Sequence, residues 1–72
     1  MKLISSPDVR PGPIYASIIS DTTPSPLPTT GENVDGMEKD QTFSPGSVIF
    51  VVDPNASHRY YVANESGEFV GQ

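Results

Sequence analysis

The sequence predicts a mainly β protein, in which an extended proline-rich arm and an acidic loop precede a small antiparallel β-meander. Six of the eight prolines lie before residue 30, and each removes a backbone donor and restricts the residue before it. An unbroken apolar run, Val48 to Val52, lies in the last third of the chain between turn-forming residues. The predicted division is an arm, one strand and a loop over residues 1–42, and the meander over residues 43–72.

The first predicted strand lies within the proline-rich part of the chain. Residues 14–20 lie between Pro13 and Pro24 and are rich in β-branched side chains, a composition typical of a strand. Residues 24–28 are predicted to be polyproline-like, because that conformation needs no internal hydrogen bonds. Residues 29–42 follow as an acidic loop with no helical or alternating pattern. A loop of this length in a small domain is usually functional or mobile.

The apolar run in the last third is predicted to lie in the central strand, residues 47–52. The turn Ser44-Pro45-Gly46 precedes it. Because the run is apolar at every position, both faces of this strand are expected to need cover. Val48, Phe50 and Val52 are expected to form one buried row.

Two shorter strands are predicted to follow the central one. Residues 59–64 alternate well enough to be a return strand, with Tyr60 and Tyr61 on opposite faces. Glu65-Ser66-Gly67 is a short turn in which Gly67 can take a positive φ, and residues 68–70 form the third strand. The strand at residues 14–20 is a candidate to join this meander.

Length and composition limit how such a domain can be stabilised. A domain of this size buries only about 60% of the surface that its unfolded chain exposes. The 72 residues include no cysteine and a single histidine, His58, so neither a disulfide nor a zinc site of Cys and His ligands can form within one chain. No cofactor is predicted. Oligomerisation or docking onto a larger structure therefore remains as the means of stabilising the domain.

The charge of the chain disfavours nucleic acid as a partner, and its short apolar runs disfavour a membrane. Nine acids and four bases give a net charge of −5, and Lys39 is the only base between residues 11 and 58. Nucleic-acid binding needs clustered Lys or Arg, so it is not predicted. No apolar run reaches the roughly 18 residues of a membrane span, and the first residues lack the apolar region of a signal peptide. We expect synthesis in the cytoplasm and no membrane partner.

Three motifs have simple structural explanations. Leu27-Pro28-Thr29-Thr30-Gly31 matches the pattern cleaved by sortases, but an acidic loop follows it instead of an apolar span and a basic tail. We therefore interpret it as part of a proline-rich connector. Residues 32–40 place oxygen ligands around Gly36, although an EF-hand alignment fails at both end positions. A looser calcium site stays open as the alternative to a solvated loop. The sequons Asn55-Ala56-Ser57 and Asn64-Glu65-Ser66 lie where turns are expected.

The sequence offers little material for catalysis. Ser57 and His58 are neighbours, and neighbouring residues of a strand point to opposite faces, so they cannot act as nucleophile and base. An enzyme is not predicted. Tyr60, Tyr61 and Phe69 are expected to pack across adjacent strands. An aromatic interaction surface is the alternative for these three residues.

The last 28 residues also carry a resemblance. Its residues are Pro45-Gly46-Ser47-Val48-Ile49-Phe50-Val51-Val52-Asp53 and the segment from Tyr60 through Phe69. These segments resemble β-hairpins of small structural proteins of tailed bacteriophages, including head-fibre and other capsid-associated accessory proteins. The resemblance implies a short protein that carries an extended arm and is ordered by the particle. It implies no catalytic residues.

Together these features predict a non-enzymatic structural protein of a bacteriophage virion, such as a capsid decoration or head-fibre component made in the host cytoplasm. The arm is expected to dock onto a capsid or other virion protein, and the meander to form a homo-oligomer. The alternative is a small soluble acidic module, an inhibitor or regulator whose loop mimics a negatively charged ligand. The candidate partner-binding residues are Ile4, Ile14, Tyr15, Ile18, Ile19, Leu27, Tyr60 and Tyr61.

Overall fold

The computed structural model describes residues 1–5 and 12–72. In this part of the chain, five strands form one mixed sheet and no α-helix is present, which confirms the predicted mainly β class. The part of the predicted arm that contains Pro7 and Pro11 lies outside the described residues. The strands are β1 (Lys2–Leu3), β2 (Ser17–Ser20), β3 (Val48–Val51), β4 (Tyr60–Ala63) and β5 (Phe69–Gly71), and a short 3-10 helix spans Gly31–Asn33.

The strands lie side by side in the order in which the chain visits them. β3, β4 and β5 form the predicted antiparallel meander. β2 pairs with β3 in parallel, with Ile18 beside Ile49, and β1 pairs with β2 in antiparallel fashion. A parallel pair needs a long crossover connection, which residues 21–47 supply. The sheet therefore draws strands from both predicted parts of the chain.

The turn between β4 and β5 forms as the sequence predicts. Gly67 has a φ of 78°, a conformation that costs glycine little. The side-chain oxygen of Asn64 accepts hydrogen bonds from the backbone N–H groups of Ser66 and Glu68, at 2.9 and 3.0 Å. This Asn-centred turn explains the second sequon as local structure.

One face of the sheet forms the core, because the crossover segment covers it. Ile18 and Ile49 are fully buried at its centre. Phe43, near the end of the crossover, packs edge-on against Phe69, with ring centroids 4.8 Å apart. The buried cluster consists of Leu3, Ala16, Ile18, Val34, Phe43, Ile49, Val51, Tyr61, Ala63 and Phe69.

The crossover segment is also tied to the sheet through its backbone. The Leu3 N–H donates to the carbonyl of Asp35 at 2.8 Å, and the Asp35 N–H donates to the carbonyl of Met1 at 2.9 Å. Val34 is buried next to Asp35, whereas Glu32 and Glu38 are exposed. The acidic loop therefore has apolar anchors that face the sheet and acids that face solvent.

Ser47 links the crossover to the sheet with a buried hydroxyl group. Its Oγ accepts a hydrogen bond from the Ala16 N–H at 3.1 Å and lies 2.8 Å from the Ser44 carbonyl oxygen, to which it donates. In a Ser47→Ala variant, the buried Ala16 N–H would lose its acceptor. We expect the free energy of unfolding to fall by about 1–3 kcal/mol in urea titrations.

The matched control for this substitution is Ser57→Ala. Ser57 is exposed, so its loss should change the free energy of unfolding by no more than about 0.5 kcal/mol. Equal effects of the two substitutions would show that the Ser47 hydroxyl does not stabilise the fold.

The structure corrects the predicted buried row of the central strand. Val48, Phe50 and Val52 do share a face, but it is the face that no described segment covers, and Phe50 is 43% exposed. Ile49 and Val51 point into the core instead. Alternation determines which residues share a face of a strand. In a run that is apolar throughout, it does not determine which face is inward.

Candidate functional site

The side of the sheet that no segment of residues 1–5 and 12–72 covers is the main candidate for a functional surface. We call it the open face. Its residues come from strands β2 to β5 and the position after β3, and all are apolar or aromatic and only partly buried or exposed. They are Ile19, Val48, Phe50, Val52, Tyr60, Val62 and Val70.

Strand register joins these side chains into one continuous patch. Phe50 of β3 lies between Ile19 and Tyr60 on the neighbouring strands. Val62 of β4 lies between Val48 and Val70 in the same way. Directly opposite residues on adjacent strands have Cβ atoms about 4.5–5.5 Å apart. The two rows are therefore contiguous, and β3 runs through the middle of the patch.

The composition of the open face is unusual for a solvated sheet surface. A sheet with one exposed face normally places polar side chains there. Four open-face side chains are each about half exposed and three more are half-buried, which corresponds to about 500 Å² of apolar surface. This area lies in the upper part of the range found for the largest patches of monomeric proteins, which often mark interaction sites.

The charged groups lie at the edge of the open face or away from it, and Lys2 of β1, beside Ile19, is exposed at that edge. Glu32, Glu38 and Asp40 are exposed on the crossover segment, which covers the opposite face. The open-face positions of β2, β3 and β4 are uncharged. The protein thus has an acidic side and an apolar side, with the sheet between them.

The structure separates the predicted partner-binding residues into two groups. Exposed or half-buried positions are consistent with contact to a partner, whereas core positions are not. Ile4, Tyr15 and Tyr60 are exposed, Ile19 is half-buried on the open face, and Leu27 is half-buried against the core. Ile14, Ile18 and Tyr61 are buried in the interior. Ile18 and Tyr61 belong to the cluster on the side of the sheet that the crossover covers, and a partner-binding role for these three buried residues stays a prediction.

Sequence reasoning missed three exposed residues of the open face, besides the half-buried Val48 and Val62. Phe50 and Val52 were assigned to the core, and Val70 was assigned only to a short strand. All three are exposed. The pairing register supplies the signal that was lacking, since it places Phe50 beside Tyr60, a residue already expected at a surface.

His58 and the acids do not come together as a metal-binding group among the described residues. The His58 ring packs edge-on against Tyr61, with centroids 5.5 Å apart, and its Nδ1 lies 3.3 Å from the Gln72 carbonyl oxygen. Over residues 1–5 and 12–72, no three His, Cys, Asp or Glu side chains lie together as ligands for a metal ion. The same residues contain no helix that is both long and apolar enough to span a membrane.

The fold and the open face define a small mixed β-sheet protein with one covered and one exposed apolar face. Comparisons with family models, with curated proteins and with solved structures gave no match. The exposed sheet face is therefore the feature from which a function can be inferred.

Proposed function

We propose that this chain is a non-enzymatic structural protein that works by protein–protein contact within a bacteriophage virion. The open face supports this proposal most strongly. Covering about 500 Å² of apolar surface is favourable by roughly 25 cal/mol per Å², which is large for a domain of this size. A protein that is assembled into a particle gains this stabilisation when its neighbours cover the face.

The virion setting follows from the resemblance of the last 28 residues to accessory proteins of tailed phages. In this setting the chain is a capsid decoration, head-fibre or similar component, and its partner is a capsid or other virion protein. A cysteine-free domain with an uncovered sheet face suits a component that a particle orders. The meander oligomerises, and the N-terminal part of the chain docks onto the partner.

The docking element is proposed to include Ile4 and Tyr15. Both side chains are exposed, and Tyr15 is 64% exposed. Removing residues 1–13 would not test their role cleanly. That deletion would also remove β1 and the buried Leu3 side chain, so point substitutions are the sharper experiment.

A Tyr15→Ala variant should bind purified particles at least about fivefold more weakly than the native chain. Aromatic anchors at interfaces commonly contribute more than 1 kcal/mol, and Tyr15 has most of its surface free to make such a contact. Binding is measured by co-sedimentation of labelled chain with particles that lack it. Thr23→Ala, at another exposed position, is the control and should bind normally. Equal binding of both variants would exclude Tyr15 as an anchor.

The function itself is tested by locating the protein. Mass spectrometry of purified particles should detect the chain at a constant ratio to the major capsid protein, and neighbouring open reading frames should encode virion proteins. If the chain stays in the soluble fraction of the lysate and is absent from particles, the proposal fails.

An acidic inhibitor or regulator is the second candidate, because the crossover segment exposes its acids while its apolar residues anchor it in the core. Glu38 and Asp40 are exposed, while Val34 and Phe43 anchor the same segment in the core. In this case the chain should be recovered from the soluble fraction in complex with a basic host protein. Salt should weaken that complex strongly, since exposed charges are screened within about 10 Å at 0.1 M ionic strength.

A further inference from the structure

We propose that a second copy of this chain covers the open face, so that two sheets pack face to face as a two-fold symmetric β-sandwich. This inference rests on the proposed structural function and goes further by naming the occupant of the open face. The docking residues Ile4 and Tyr15 would remain available to a different protein in the assembly.

The area of the open face suits a dimer. Two copies would together bury about 1,000 Å² of apolar side-chain surface, and the surrounding rim would add to it, which reaches the size of specific interfaces. In a two-fold interface the same patch is used by both copies. One surface of this size on each chain is therefore sufficient for a closed pair.

The shape and chemistry of the open face are also self-complementary. Packed sheets lie about 10 Å apart and fill the space between them with side chains from both inner faces. Here each sheet would contribute branched side chains such as Ile19 and Val62 around the larger Phe50 and Tyr60 rings. Uncharged positions on β2, β3 and β4 mean that no charge would be buried at the centre of such a pair.

The charge distribution favours the same arrangement. Each chain carries a net charge of −5, so two copies repel one another unless their acidic sides are kept apart. The exposed acids Glu32, Glu38 and Asp40 lie on the crossover segment. Stacking the open faces places the two crossover segments on the outside of the sandwich, with both sheets between them, which keeps these acids apart.

Sedimentation equilibrium on the full chain and two matched variants tests the proposal. The native chain should approach twice the mass of one chain as its concentration rises. Phe50→Lys should weaken dimerisation at least about 30-fold, because it places a charge at the centre of the interface. Thr29→Lys makes the same charge change on the covered side of the molecule, at an exposed position, and should dimerise like the native chain.

The folded state of each variant is checked by circular dichroism. If Phe50→Lys does not fold, Val70→Lys replaces it, since Val70 is an exposed open-face residue on β5. A native chain that remains monomeric at its highest soluble concentration would overturn the proposal. A dimer that persists in a folded Phe50→Lys or Val70→Lys variant would overturn it as well.

Cross-linking locates the interface independently. The chain has no cysteine, so one introduced cysteine is a unique reporter. Ser17 lies on β2 two residues before Ile19, so its side chain is on the same face of the sheet. In a two-fold pair whose axis passes near β3, its two copies would be about 10–14 Å apart. A Ser17→Cys dimer should therefore be linked by a short bismaleimide, and Ser25→Cys, at an exposed crossover position, should not. The reverse pattern would contradict face-to-face packing.

The dimer and the proposed function fail in different ways. A monomeric chain that is nevertheless found in particles would overturn the dimer and leave the virion proposal standing. A chain that dimerises but is absent from particles would overturn the virion proposal and leave the dimer standing.

Discussion

Replacing Ile49 with alanine should lower the free energy of unfolding by about 2–5 kcal/mol. Ile49 is 0% exposed, and it lies between Ile18 on β2 and Tyr61 on β4. Truncation would leave a cavity at the centre of the only face that is covered within the described residues. A domain of 72 residues has a total stability of about 4–11 kcal/mol, so this one substitution removes much of it. Urea titration followed by circular dichroism measures the change.

Ile4→Ala is the matched control, because it makes the same chemical change at an exposed position. It should cost less than about 1 kcal/mol. Phe50→Ala should also cost less than Ile49→Ala in the monomer, since the Phe50 ring is partly exposed. If Phe50→Ala proves the more damaging substitution in monomeric protein, the assignment of the inward face of β3 is wrong.

Gly31→Ala should lower the free energy of unfolding by about 1–3 kcal/mol, the usual cost of overpacking. Gly31 is buried in the crossover segment, and its N–H donates to the Gln41 carbonyl at 2.9 Å. A Cβ at this position would overlap the backbone carbonyl of Glu38 and would lie 2.7 Å from the Cβ of Met37. Neither group can rotate away, so the segment itself has to shift.

Gly71→Ala separates this effect from a general cost of adding a methyl group. A Cβ at Gly71 would meet the His58 ring at 2.6 Å, but His58 is an exposed side chain that can rotate. The Gly71→Ala substitution should therefore lower the free energy of unfolding clearly less than Gly31→Ala does, as measured by the same urea titrations. Comparable losses at both sites would show that the crossover segment is not held rigidly against the sheet.

Much of the strand content was predictable from local patterns. The strands at residues 14–20, 47–52, 59–64 and 68–70 overlap β2, β3, β4 and β5, and the tight turn at Gly67 was predicted by its residue type. β1 was not predicted. It has two residues, Lys2–Leu3, too few to show alternation, and its pairing with β2 and with Asp35 defines it as a strand.

The candidate surface was predictable only in part. Tyr60 was expected at an interface and is exposed on the open face, whereas Tyr61 was expected there too and is buried. The tyrosines are adjacent and chemically identical, so composition could not distinguish them. Their opposite faces follow from alternation, but the choice between the faces depends on what packs above the sheet.

The sequence by itself determined where β2 to β5 lie and which of their side chains share a face, because strand propensity and the two-residue period are local properties of the chain. The tertiary structure decided which face is the core. On β3 both faces are apolar, so no local signal chooses between Ile49 and Phe50. The choice is made by Val34 and Phe43 of the crossover segment, which pack on the Ile49 side. Burial of one apolar face by a distant segment leaves the other exposed among the described residues, and it is this face that we propose a second copy covers.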